Sequence, residues 1–201
     1  MTDPGFTAVA STSASDAFNY LSVLIAIILG LAITQILKGF RGLVLSRARV
    51  VSYWPTLVLS GLLLLINVQG WWASFGMREI RVWTFGMFAV VLLQTTLTYM
   101  LAALVLPDFF GEKTVDLREH YFAHRQLFFG LFVVTLLVSL SKDWVLSNHL
   151  PDRANIAFHC GFILLTGIGA LTAREWYHKA LAVAGVVGFA AYIALLFTQL
   201  R

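Results

Sequence analysis

Charged residues punctuate this chain, and between them lie six uncharged windows, at 17–37, 50–77, 82–107, 126–141, 154–173 and 180–200, each dominated by Leu, Ile, Val, Ala and Phe. A helix rises about 1.5 Å per residue, so about 20 apolar residues cross the ~30 Å hydrocarbon core of a bilayer. Five windows are long enough as they stand. The fourth is short, so its helix must carry Lys142 and Asp143 to the interface, with Trp144 as an aromatic anchor. Pro55, Pro107 and Pro151 fall at window edges, where a missing N–H is tolerated. The pattern therefore predicts an all-α fold: a polytopic integral membrane protein, a bundle of six transmembrane helices over about 17–38, 54–76, 83–106, 126–145, 154–173 and 180–200. Residues 1–16 read as a flexible tail ahead of a single domain, 17–201, with Ser15 or Asp16 capping the first helix. In the longest connection, Thr114 and Asp116 precede Leu117 and Tyr121 at helical spacing. This predicts a cytoplasmic helical extension over about 114–125 that leads into the fourth span.

Small residues form two stripes within these spans. On the first helix Ser22, Ala26, Gly30, Thr34 and Lys38 follow at four-residue steps; on the sixth, Ala184, Gly188 and Ala191 share a side. Without a hydrophobic drive between helices in lipid, close backbone approach at small residues is what brings helices together. Ala26, Gly30 and Thr34, with Ala184, Gly188 and Ala191, are thus the expected packing faces. One suits contact inside the bundle, and the other suits a second copy or a larger membrane complex.

Composition agrees with the pattern. Of 201 residues, 59% are hydrophobic and 12% charged, and the mean hydropathy is +0.82. The net charge of +4 is spread between apolar runs, so nucleic acid is not an expected partner and the lipid bilayer is. Cys160 is the single cysteine, which excludes an intrachain disulfide. Nine Lys and Arg lie in the 38–53, 108–125 and 174–179 connections, against five on the other side. Positive charge favours the cytoplasm, which puts both termini on the non-cytoplasmic side.

The stretches LSVLIAIILGLAITQIL (21–37), NVQGWW (67–72) and DLREHYFAHR (116–125) resemble a family of small bacterial multi-span membrane proteins with no established activity. That resemblance implies a bacterial inner membrane and assigns no catalytic or binding residue.

Candidate chemistry is sparse. No Asp, Glu, Lys or Arg occupies the middle of any window, whereas ion-coupled carriers need an ionisable group at depth. Neutral polar groups stand there instead: Ser60, Asn67 and Ser74 at seven-residue spacing, Gln94 with Thr98 one turn on, and Thr135. Asn67 and Gln94 are at similar depth and are expected to hydrogen-bond across neighbouring helices; with Thr98 and Thr135 they are also the candidates for lining a solute path. His159 lacks a second histidine within a span that could complete haem ligation. Lys142 and Asp143, as chain neighbours, are expected to face apart, leaving Asp143 to Arg78 or Arg81.

A metal-like constellation lies on the cytoplasmic side. Asp116, His120 and His124 share a helix face, and Glu175 and His178 form the Glu-x-x-His arrangement of carboxylate-bridged metal sites. Arg118, Arg125, Arg174 and Lys179 surround it and would repel a cation, so interfacial anchoring is the favoured reading and a divalent metal the alternative. No Gly-rich phosphate loop, Ser-His-Asp set or HExxH occurs. The sequence thus points to a non-catalytic membrane protein without a resident cofactor, either an accessory subunit or a small passive transporter. A membrane enzyme with its metal at His120, His124, Glu175 and His178 is the alternative.

Overall fold

A computed structural model describes residues 4–108 and 114–196, with side chains over 18–108 and 114–195. Among them are six long helices: α1 (Pro4–Leu45), α2 (Trp54–Ser74), α3 (Phe85–Leu104), α4 (Leu117–Ser147), α5 (Arg153–Leu171) and α6 (Glu175–Leu196). All six are long and apolar enough to cross a membrane, so the chain is an all-α six-helix integral membrane bundle.

Local chemistry sets the ends of the helices. Pro55 stands in the first turn of α2, where it removes no intrahelical bond. Thr84 caps α3 through its hydroxyl, 3.3 Å from the Met87 N–H. Asp116 accepts from the N–H groups of Arg118 (2.7 Å) and Glu119 (3.2 Å) and starts α4. The expected extension and the fourth span are therefore one helix of 31 residues, about 46 Å long. Asn148, at φ 57°, ends it in the left-handed conformation that asparagine tolerates. Two boundaries differ from the sequence reading. α1 is already helical from Pro4, so residues 4–16 of the segment expected as a tail belong to the helix, and residues 1–3 lie outside the described residues. α6 starts at Glu175 instead of 180, because a charged first turn can project beyond the hydrocarbon while remaining helical.

The helices close into a ring. α1 packs on both α2 and α3, α4 on α3 and α5, and α6 between α5 and α2. The α2–α3 and α4–α5 connections lie at one end, here the terminal face. The α1–α2, α3–α4 and α5–α6 connections lie at the other, the basal face, where β1 (Val50–Val51) and β2 (Val115–Asp116) pair in parallel and tie two connections together. Trp54 and the pair Trp71 and Trp72, all substantially exposed, stand at opposite ends of α2. Their separation, about 26 Å along the helix, matches the spacing of aromatic belts across a bilayer.

Exposed Ile27, Leu65, Leu93, Leu137, Leu164 and Val187 form the lipid-facing perimeter. On α1 the buried face is Leu21, Ile25, Leu29, Ala32 and Ile36. The small stripe Ala26, Gly30 and Thr34 is exposed, so of the two expected packing faces this one is not used inside the bundle. The reason is ring geometry: α1 must contact two neighbours at once, and large side chains fill that wedge where a row of small ones leaves voids.

Candidate functional site

Six helices in a ring leave an axial space, and here it is a cavity of about 970 Å³ lined by residues from every helix. Its mouth, at the terminal face, carries Glu79, Arg81, Lys142, Asp143 and His149. The lining is mostly apolar: Ile25 and Leu29 of α1 with Leu62 and Ile66 of α2 make one wall. Polar groups lie on the facing helices, with Gln94, Thr95 and Thr98 on α3, Thr135 and Ser139 on α4, and His159 and Thr166 on α5.

Each threonine hydroxyl is committed in the same way. Thr98 donates to the Gln94 carbonyl (2.8 Å), Thr135 to Leu131 (2.8 Å), Thr166 to Phe162 (2.6 Å) and Thr95 to Leu92 (3.0 Å). Such back-bonding satisfies the hydroxyl hydrogen inside an apolar wall and leaves the oxygen lone pairs open. His159 bonds the Asn155 carbonyl through Nδ1 (3.0 Å), which must donate, so the neutral ring accepts the Ser139 hydroxyl at Nε2 (3.2 Å). Depth follows from two bonds to α4. Arg125 Nε donates to the Ala170 carbonyl (3.3 Å) and His120 Nε2 to the Leu104 carbonyl (3.2 Å). Counting back from these, Gln94, Thr95, Thr98 and Thr166 share the level of Phe129, and Thr135 stands about one to two turns nearer the mouth.

Below this level the cavity is closed. Leu63, Leu101 and Phe129 are each 1% exposed and form its floor with Leu181. Underneath, Tyr121 and His178 lock α4 to α6: the Tyr121 hydroxyl donates to His178 Nδ1 (2.8 Å) and His178 Nε2 donates to the Thr172 carbonyl (2.9 Å). Tyr53 and Phe122 pack edge-on to Tyr121, and Phe129 stacks near the His178 ring at 5.6 Å. Burial, aided by the Glu175 carboxylate, pushes the Tyr53 phenol up to about 12, and its hydroxyl is buried without a partner.

Several expected arrangements take another form. Asn67 and Gln94 do not bond each other. Asn67 donates to the Leu63 carbonyl of its own helix (2.8 Å), and its Oδ1 and Gln94 Oε1 are both buried without a partner. α1 stands between most of α2 and α3 in the ring, and Gln94 faces the cavity. Lys142 and Asp143 do pair, at 3.8 Å, and Asp143 also accepts from Asn155 Nδ2 (3.0 Å), while Arg78 lies over the Phe75 ring at 4.0 Å.

Of the four residues read as metal ligands, His120 and His124 come together, their ring centroids 4.4 Å apart, but Glu175 and His178 are engaged elsewhere. Glu175 is held between Arg118 (3.0 Å) and Lys179 (2.9 Å), and His178 turns inward to Tyr121. His120 engages the end of α3, and His124 Nδ1 donates to the His120 carbonyl (2.9 Å). The spacing i, i+3 puts Glu175 and His178 near one face, but one side chain is drawn out by cations and the other in by a phenol. Among the described residues no group of three or more His, Cys, Asp or Glu is placed to hold a metal ion.

On α6, Gly188 meets Phe162 of α5, with a Cβ there 3.1 Å from the ring, whereas Ala184 and Ala191 are half-buried. The tightest of the glycine contacts was not legible in the stripes at all: a Cβ on Gly39 of α1 would stand 2.6 Å from Cδ1 of Leu106, just beyond the end of α3. Thr95, Ser139 and Thr166 are the cavity residues that sequence reasoning passed over; the Thr95–Thr98 spacing was the one signal available. No family model, no curated protein and no solved structure matches the chain.

Proposed function

We propose that this is a non-catalytic membrane protein that holds a small solute in its axial cavity, a passive transporter-like bundle of the bacterial inner membrane with both termini on the non-cytoplasmic side. The cavity carries the reading: about 970 Å³, mostly apolar with a few convergent polar groups, is the character of a ligand site. The excess of Lys and Arg in the basal connections turns its mouth away from the cytoplasm. The closed floor fits one state of an alternating-access cycle, with the Tyr121–His178 lock as the element that must part. The test is cysteine labelling after Cys160→Ser. A cysteine at Thr135 should react with a membrane-impermeant maleimide added on the non-cytoplasmic side, as should a mouth control at Glu79. Reaction at 79 with none at 135 overturns the cavity reading.

A second reading, as an accessory subunit, is favoured by the outward stripe on α1. A Cβ on Gly30 would have nothing within 4 Å, so another membrane helix can approach there closely.

A further inference from the structure

The polarity of the cavity wall limits what it can hold, and on the reading that it is a solute site we infer that its ligand class is an organic ammonium ion with an apolar body. At the inner end the hydroxyl hydrogens of Thr95, Thr98 and Thr166 are already donated to helix carbonyls. What these groups still offer is oxygen lone pairs. Gln94 adds a buried Oε1 with no partner, together with its own amide donor. Thr135 and Ser139, nearer the mouth, continue the run of acceptors: the Thr135 hydrogen is bonded to Leu131, and the Ser139 hydrogen is bonded to His159. An ammonium group carries three donors and no acceptor, which is the complement of this wall. A carboxylate finds the Gln94 amide as its one donor there and elsewhere presents lone pairs to lone pairs, a mismatch that a buried site penalises heavily.

A second observation points the same way. Phe132, Phe162, Phe189 and Tyr192 line the same space, and aromatic faces attract organic cations within about 6 Å of the ring centre. The apolar wall of Ile25, Leu29, Leu62 and Ile66 supplies the surface for a hydrocarbon body. Charge at the mouth does not decide the matter, because Glu79 and Asp143 balance Arg81 and Lys142 and Lys142 is already turned toward Asp143. Hydrogen-bond polarity and π faces decide it.

The experiment is isothermal titration of the purified full chain with three probes of similar size: 2-phenylethylammonium, 3-phenylpropanoate and ethylbenzene. The ammonium should bind at least tenfold more tightly than either of the others. Thr98→Val, which keeps side-chain volume and removes an acceptor, should weaken ammonium binding at least fivefold. Gln94→Leu does the same independently should Thr98→Val fail to fold. Equal or tighter binding of the carboxylate or the hydrocarbon overturns the inference, as does binding of no probe, or unchanged ammonium binding in both variants. Labelling at position 135 reads the cavity separately. If it succeeds while probe selectivity fails, only the ligand class is wrong; if it fails, the cavity reading goes with it.

Discussion

Tyr53, Asn67 and Gln94 each bury a polar atom that no neighbour satisfies. For Tyr53 and Asn67 the consequence is a stability effect opposite to the usual one. Removing a buried unsatisfied oxygen recovers its desolvation penalty, so Tyr53→Phe should leave the melting temperature in detergent unchanged or raise it, by up to about 1 kcal/mol of stability. The raised Tyr53 phenol adds a pH signature. Between the ordinary tyrosine value of 10.0 and about 12 the folded protein keeps a proton that the unfolded chain has lost, so stability falls as pH rises through that window. Tyr53→Phe should flatten the decline; an identical alkaline melting profile would sink the assignment. Asn67→Leu and Gln94→Leu should be additive, because the two residues do not touch. Tyr121→Phe behaves in the ordinary direction: it strands His178 Nδ1, 2.8 Å from the lost hydroxyl, and should cost about 1–3 kcal/mol in a denaturant titration.

At the scale of helices, glycines are informative only through what they face. Gly39 lies where α1 meets the chain just beyond the end of α3, with Leu106 Cβ at 2.9 Å and Cδ1 at 2.6 Å from any added Cβ. Because the near atoms include the root of the leucine and not just its tip, Gly39→Val must push α1 and the start of the α3–α4 connection apart and should destabilise by about 1–3 kcal/mol. Gly30→Leu, on the same helix but facing outward, should leave folding of the isolated protein intact. A loss of assembly in that variant, read by native gel or cross-linking, would identify the stripe as a partner face. The capping of α4 can be tested as well: Asp116→Ala leaves the Arg118 and Glu119 N–H groups without their acceptor and should cost about 1 kcal/mol.

For the whole molecule, topology and cavity are one question, since the mouth opens at the end of the bundle where α1 begins and α6 finishes. Reporter fusions after residue 45 and after residue 77 should report opposite sides, with 45 in the cytoplasm. Both on one side would refute the six-span reading, and the reverse assignment would refute the charge bias. The ring also explains why the polar residues converge. Groups that cannot face hydrocarbon turn to the axis, and all six helices contribute to a common interior that no pair of sequence neighbours could enclose.

Hydropathy determined that six segments are long and apolar enough to cross a bilayer, because burial in lipid depends on local composition over about 20 residues. Thr114 with Asp116 marked a helix start within a few residues of the true cap, Asp116, because capping is a local bond. Tertiary structure decided which face of each helix turns inward. Lipid is as apolar as a leucine core, so the hydrophobic effect does not distinguish the two faces of a membrane helix, and a stripe of small residues is compatible with either. That is why Ala26, Gly30 and Thr34 point outward while Gly39 makes the close contact. The ring order decided the rest: with α1 standing between α2 and α3, Asn67 falls back on its own helix and Gln94 meets a cavity that Thr95, Thr98, Thr135 and Thr166 approach from three different helices.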